Sequence, residues 1–289
     1  MAKEKKLNRF AIAFNGQIPH SRGIAEEIRA FFLDQGAQVL NLSKIDDQQL
    51  QPCIHPQKID AIIVLGGDGT MLRASHLCSA PGIPIVGINL GTMGFLIELQ
   101  PDQWREFLPR LLSGDYRLEK RMMLRAGHWR AGKQIGEWQV VNEVVVCRGQ
   151  YVRPVRLTTE VDGYPMASYV ADGIIAATPT GSTAYALAAG GAILPPDIRN
   201  IIMVPIAPHL SPDRPIVLSE GACVKIKVHA GYEAVLSIDG HPPVVTREDD
   251  NISVTASDHN TIFIRFHDPG YFYRSLNRYL EQNPAFPDQ

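Results

Sequence analysis

Two textures along the 289-residue chain predict an α/β domain with a mostly parallel sheet, followed by a β-rich, sandwich-like domain. Strand-like and helix-like segments alternate over the first hundred residues, the signature of layered α/β structure. After Tyr116, glycines at Gly127, Gly132, Gly136, Gly149 and Gly163 punctuate short apolar runs, and helical periodicity nearly vanishes. Tyr271 to Leu280 is helical in pattern again, which predicts a last helix packing back on the first domain. The expected division is 1–117 with 265–289 for the α/β domain and 118–264 for the β-rich one.

Phe10 to Phe14 reads as a strand. Ser21 reads as the cap of a helix whose apolar residues Ile24, Ile28, Phe31 and Phe32 share one face before Gly36 ends it. Val39 to Leu42 is a second strand, and Ile59 to Leu65, almost continuously apolar, predicts a central strand buried on both faces. Ile83 to Ile88 follows as the next strand. Asp102 is expected to cap an amphipathic helix through Trp104, Phe107, Leu108 and Leu111, closed by Gly114. In the second domain Glu137 to Cys147 and Val152 to Val161 are strand-like, whereas Ser182 to Ala189 predicts a helix of small residues.

Composition narrows the partners. With 28 Lys+Arg against 30 Asp+Glu the net charge is -2, so no basic excess is present to neutralise a nucleic-acid backbone, and a small molecule is expected instead. Cys53, Cys78, Cys147 and Cys223 form no C-x-x-C pair, which argues for free thiols in a reducing cytoplasm. The apolar run at Phe10 to Phe14 is too short for a signal peptide, and no run reaches the roughly 18 residues of a membrane span. A cytoplasmic protein without a membrane partner is the expectation.

Gly66-Gly67-Asp68-Gly69-Thr70 follows the buried strand and opens a helix from Met71 to Leu77. This is the carboxyl end of a parallel strand, where open sheets bind ligands and helix N–H groups receive anions. The loop is neither a Walker A motif nor G-x-G-x-x-G. A carboxylate beside phosphates needs a reason: it holds Mg2+ or accepts a proton from an attacking hydroxyl, and both suit phosphoryl transfer. Asn89-Leu90-Gly91-Thr92-Met93-Gly94-Phe95-Leu96 ends the next strand in the same way, so the two loops predict a crevice.

Asn142-Glu143 interrupts an apolar stretch, so at least one of the two polar side chains should face a buried side. Either the pair satisfies itself in a structural network or it awaits a ligand such as a ribose diol or an amide. Asp172-Gly173 leads a strand into Thr178-Pro179-Thr180-Gly181-Ser182-Thr183-Ala184-Tyr185, crowded with hydroxyls, then Ala186, Leu187, Ala188 and Gly190-Gly191. Small side chains there leave room for a bulky ligand. Ala207 to Ser211 and Ser237 to Pro242 are loop-like, Asp239-Gly240 is a hairpin signal, and His209 and His241 have no metal-ligand spacing, so no zinc site is expected.

Taken together, these motifs resemble the NAD kinase family, over essentially the whole chain and in the family's order; TPTGSTAY with its upstream DG is the most specific of them. The resemblance implies a Rossmann-like N-terminal domain, a β-rich C-terminal domain and a homodimer or homotetramer with shared active sites. It also implies transfer of the ATP γ-phosphoryl group, with Mg2+, to the 2'-hydroxyl of the adenosine ribose of NAD. By the same resemblance Asp68 is the proton acceptor, and Gly66, Gly67, Gly69, Asn89 and Phe95 belong to the loops around it. Asn142 and Glu143 hold the ribose region, Asp172 contacts NAD, and Thr180 with the segment Thr183 to Ala188 lines the dinucleotide. Arg153, Ala207 and His241 fall at aligned binding positions, and Asp239, in the family's late ID-x-x element, is expected at the NAD site as well. Many relatives carry Arg where Val170 stands, a position that bears on NAD against NADH, and Gln where His241 stands. Two rivals are a diacylglycerol-kinase-like lipid kinase, which shares the GGDGT loop, and a sensor that binds NAD(P) without turnover.

Overall fold

The computed structural model describes residues 3–91, 94–151, 153–209, 211–229 and 233–281, the last five of these by backbone alone. Thr92, Met93, Val152 and Leu210, which fall within the motifs and runs above, lie outside the described residues. Two compact units form: Met1–Lys120 with Thr261–Gln289, and Arg121–Asn260.

In the first unit β1 (Arg9–Phe14), α1 (Ser21–Asp34), β2 (Gln38–Lys44), β3 (Ala61–Gly66), α2 (Asp68–Ser79) and β4 (Ile85–Asn89) alternate. The strands run parallel in the order β2-β1-β3-β4. Alternation of side chains along the strands explains the double layer. Phe10, Ile12 and Ile63 pack with Ile28 and Phe32 of α1, whereas Ala11, Ala13, Ile62 and Val64 pack with Met71, Ala74 and Cys78 of α2. Every residue of β3 is buried, as its sequence requires.

Gly36 ends α1 in the left-handed region, at φ 74°. Ser21, however, does not cap it: the hydroxyl donates to the Asn15 and Ile18 carbonyls, and His20 is the N-cap residue. The helix expected after Asp102 is two, α3 (Trp104–Phe107) and α4 (Pro109–Ser113), with Gln103 rather than Asp102 at the first N-cap. Pro109 cannot donate an N–H to the preceding turn, so the run restarts there.

The second unit holds most of β5 (Arg117–Arg130), then β6 (Lys133–Val140), β7 (Glu143–Arg148), β8 (Val155–Val161), β9 (Tyr164–Ala171), β10 (Gly173–Ala177) and α5 (Tyr185–Ala188). It continues with β11 (Asn200–Ile206), β12 (Ile216–Ser219), β13 (Val224–Val228), β14 (Ala234–Ile238), β15 (Val244–Thr246) and β16 (Asn251–Arg265), whose end from Thr261 belongs to the first unit beside β4. The sheet β12-β11-β10-β7-β14-β15 faces strands β8, β13 and the start of β16 across one core, in which Val144, Val146, Ile174 and Leu236 meet Leu157, Ile226, Ile252 and Val254. That is a β-sandwich. The expected strand Glu137 to Cys147 is divided at Val141-Asn142 into β6 and β7. The small-residue helix is also divided: Gly181–Thr183 forms a 3-10 turn, Ala184 leaves helical geometry, and α5 lasts four residues.

In the first unit again, α6 (Tyr271–Glu281) is the expected last helix, and Tyr271 stacks on His267 with ring centroids 4.4 Å apart. Among the described residues no helix is long and apolar enough to cross a membrane, and all four cysteines are free.

Candidate active site

One candidate region, in the first unit, lies at the carboxyl ends of β3 and β4. Leu90 donates its N–H to the Gly66 carbonyl at 2.9 Å, which ties the two glycine loops together. Gly67 is extended and serves as the N-cap of α2, its carbonyl accepting the Thr70 and Met71 N–H groups. Asp68 is therefore the first helical residue, where the helix dipole favours a negative charge. Its carboxylate accepts the Phe95 N–H at 2.8 Å and the Leu96 N–H at 3.2 Å. Gly94 leaves room for this, since a Cβ there would stand 2.2 Å from the Asp68 carboxyl carbon.

Phe95 thus contributes through its backbone. Asn89 is buried, with its amide oxygen accepting the Gly91 N–H at 3.1 Å, so it shapes its own loop. In front of Gly67 and Gly69 there is open space: a Cβ at either would meet nothing within 4 Å. Among the described residues no group of three His, Cys, Asp or Glu could hold a metal ion. A Mg2+ carried on substrate phosphates needs only one or two carboxylates, and Asp68 fits that smaller demand.

A separate candidate region, in the second unit, is a turn held by side chains from distant parts of the sequence. Asp239 accepts N–H groups from Val141 at 2.7 Å, Asn142 at 2.7 Å and Glu143 at 2.9 Å. It can do so because Asp239-Gly240 is the hairpin turn its sequence suggests. Both residues have positive φ, 48° and 71°, and the His241 N–H closes on the Ile238 carbonyl at 2.8 Å. From the other side the Thr178 hydroxyl donates to the Val141 carbonyl at 2.6 Å, and the Thr178 N–H to the Asn142 carbonyl at 2.9 Å. Gly181 lies flat on that turn: a Cβ would stand 2.1 Å from the Asn142 carbonyl oxygen.

Glu143 is 7% exposed, and its carboxyl group accepts the Tyr185 N–H. The Oε2 atom has no partner among the described residues. Burial, reinforced by the charge of Asp239, pushes its pKa up to about 8. Near neutral pH the group is mostly protonated, able both to donate and to accept a hydrogen bond.

The hydroxyls of the TPTGST segment turn inward. Ser182 donates to the Pro179 carbonyl and accepts the Leu194 N–H, and Thr183 donates to the Thr180 carbonyl at 3.1 Å. Thr180 is buried, Ala186 fully so, while Ala184 and Leu187 are half-buried and Tyr185 and Ala188 are exposed. Asp172 is ion-paired with Arg148 at 3.2 Å, and both charges act on the Tyr185 phenol. Val170 holds the loop after β11: its N–H reaches the Ser211 hydroxyl at 2.9 Å and its carbonyl accepts the His209 N–H at 2.7 Å. Ala207, on that loop, is exposed with φ 44°. Arg153 and His241 are exposed as well. Sequence reading passed over Arg148, whose only signal was a charge at the end of an apolar run, and saw Thr178 only as part of a motif.

Known families and proteins match the chain along most of its length. The ATP-NAD kinase N-terminal domain family matches residues 15–116, and the ATP-NAD kinase C-terminal domain family matches 141–266. The NAD kinase of Geotalea daltonii is 35% identical over 92% of this chain and 96% of its own length, and that of Chloroflexus aurantiacus 34% identical over 93% and 97%. Among solved structures, a yeast NADH kinase complexed with NADH has a TM-score of 0.83 at 23% identity, over 99% of this chain and 91% of that one. An NAD kinase from Archaeoglobus fulgidus in complex with ATP has a TM-score of 0.76 at 24% identity, over 94% and 98%. The two structures speak for the fold, and the family models and relatives for more. Neither rival, lipid kinase or sensor, is favoured by them, and the chain belongs to the NAD kinase family, whose members are phosphotransferases.

Proposed function

We propose that the protein transfers the γ-phosphoryl group of Mg2+-bound ATP to the 2'-hydroxyl of the adenosine ribose of NAD. The observation that carries the acceptor side is Glu143, a buried and mostly neutral carboxyl group with one oxygen lacking a partner among the described residues. Such an atom is costly to leave unpaired, and a ribose hydroxyl satisfies it. Asn142, half-buried on the same clamped turn, is the second group for the nucleoside.

Asp68 is the base. A ribose hydroxyl is a weak nucleophile at neutral pH, and an ionised carboxylate is an acceptor that can take its proton. In the step, the 2'-oxygen forms a bond to the γ-phosphorus, its proton passes to Asp68, and the bond from the γ-phosphorus to the bridging oxygen breaks, releasing ADP. Mg2+ on the donor offsets phosphate charge. Asp172, Tyr185, Val170, Ala207, Arg153 and His241 are proposed to line the remainder of the dinucleotide site. We also propose a homodimer or homotetramer, testable by light scattering.

The functional test is purified protein with Mg-ATP and NAD or NADH, coupling NADP to an NADP-specific dehydrogenase and detecting NADPH chromatographically. NADP formed from NAD is expected; no product from either acceptor, with folded protein, would overturn the reading.

A further inference from the structure

The strand order of the first unit reverses at one place. The chain leaves β1 for β2 on one side, then crosses to β3 on the other, and open α/β sheets bind ligands outside the carboxyl ends of the strands at such a point. Here Phe14 of β1 is level with Lys44 on β2 and with Leu65 on β3. Lys44 and Leu65 are therefore two strand spacings apart, roughly 10 Å. The lysine stem lies against Gly16. A Cβ on Gly16 would stand 2.8 Å from the Lys44 Cδ and 2.9 Å from its Cε, so the stem packs against the backbone just beyond β1. That backbone abuts β3, because the Asn15 N–H donates to the Leu65 carbonyl at 2.9 Å, one residue before Gly66-Gly67-Asp68 begins.

The glycine loop has no cation of its own. It lacks the lysine of a Walker A motif, and Asp68 adds a negative charge where phosphates would lie. Lys44 is exposed and, among the described residues, has no ion-pair partner. We propose that Lys44 is the positioning cation for the terminal phosphates of the nucleoside triphosphate donor, supplied from β2 beside Gly16. This rests on the kinase reading above, and it adds a residue outside every motif that carried that reading.

The test is the equilibrium Kd of Mg-ATP and, separately, of NAD for wild type, Lys44→Met and Lys44→Arg, measured by calorimetry without the second substrate. Met keeps an apolar stem over Gly16 and removes the charge. Expected are ATP binding weakened about tenfold or more in Lys44→Met, NAD binding within about twofold of wild type, and substantial rescue in Lys44→Arg. Unchanged ATP binding, or equal weakening for both ligands, would overturn the proposal. Should Lys44→Met not fold, Gly16→Ala displaces the stem and is read in the same way. Because binding is measured without turnover, a wild type that binds ATP but makes no NADP counts against the kinase reading alone.

Discussion

At the ends of β3 and β4 the backbone itself makes the site: extended glycines, open space before Gly67 and Gly69, and two N–H groups on a single carboxylate. The Asn142-Glu143 turn is built in the opposite way. Five of its backbone groups are taken by Asp239 and Thr178, and Gly181 is pressed against it. Under the proposed function the contrast separates two tasks. A loop that meets phosphates needs free N–H groups and an accessible carboxylate, whereas a pocket that recognises one nucleoside needs a rigid frame around a few polar atoms.

Breaking the first region should affect rate. Asp68→Asn is expected to lower kcat by at least about 10²-fold, the usual general-base scale, with NAD affinity retained. Breaking the second should affect stability and binding together. Asp239→Ala leaves three N–H groups of the turn without their acceptor, at about 1–3 kcal/mol for each that stays buried. A large fall in Tm with loss of NAD binding is expected, measured by calorimetry; a Tm unchanged within a degree would show that the turn does not depend on this clamp.

Glu143 sharpens the comparison through pH. Its folded pKa of about 8 lies above the ordinary carboxylate value, so the folded state holds a proton that the unfolded chain has lost. Its contribution is complete below the ordinary carboxylate pKa and falls as pH rises toward about 8, so the ligand-free protein should lose stability across that window. Glu143→Gln should flatten the profile and gain a few degrees in Tm at pH 8.5 relative to wild type. Parallel Tm profiles for the two proteins would contradict this. The smallest effect is expected at Val170, where Val170→Arg should shift the NAD to NADH preference toward NAD by a few-fold in kcat/KM, with no change in Tm.

Much of the frame is legible from the sequence. The almost continuously apolar Ile59 to Leu65, broken by Asp60, predicts a strand covered on both faces, and Asp239-Gly240 signals the hairpin turn that forms there. What escapes is the destination of polar side chains. Nothing near Asp239 in the sequence says that its carboxylate serves a turn almost a hundred residues earlier, or that Ser182 and Thr183 turn their hydroxyls inward. Those contacts depend on how strands pair, as Glu143 pairing opposite Ala177 illustrates. The break at Pro109 was readable from proline chemistry, and the periodicity of Trp104 to Leu111 obscured it.

The measurement that bears most directly on the division of tasks is the split between kcat and KM for NAD in Asp68→Asn and Glu143→Gln, assayed side by side at saturating Mg-ATP. Asp68→Asn is expected to lower kcat at least about 10²-fold with KM for NAD within about twofold, and Glu143→Gln mainly to raise that KM. Near-normal turnover in Asp68→Asn, or the same split in both variants, would contradict that division.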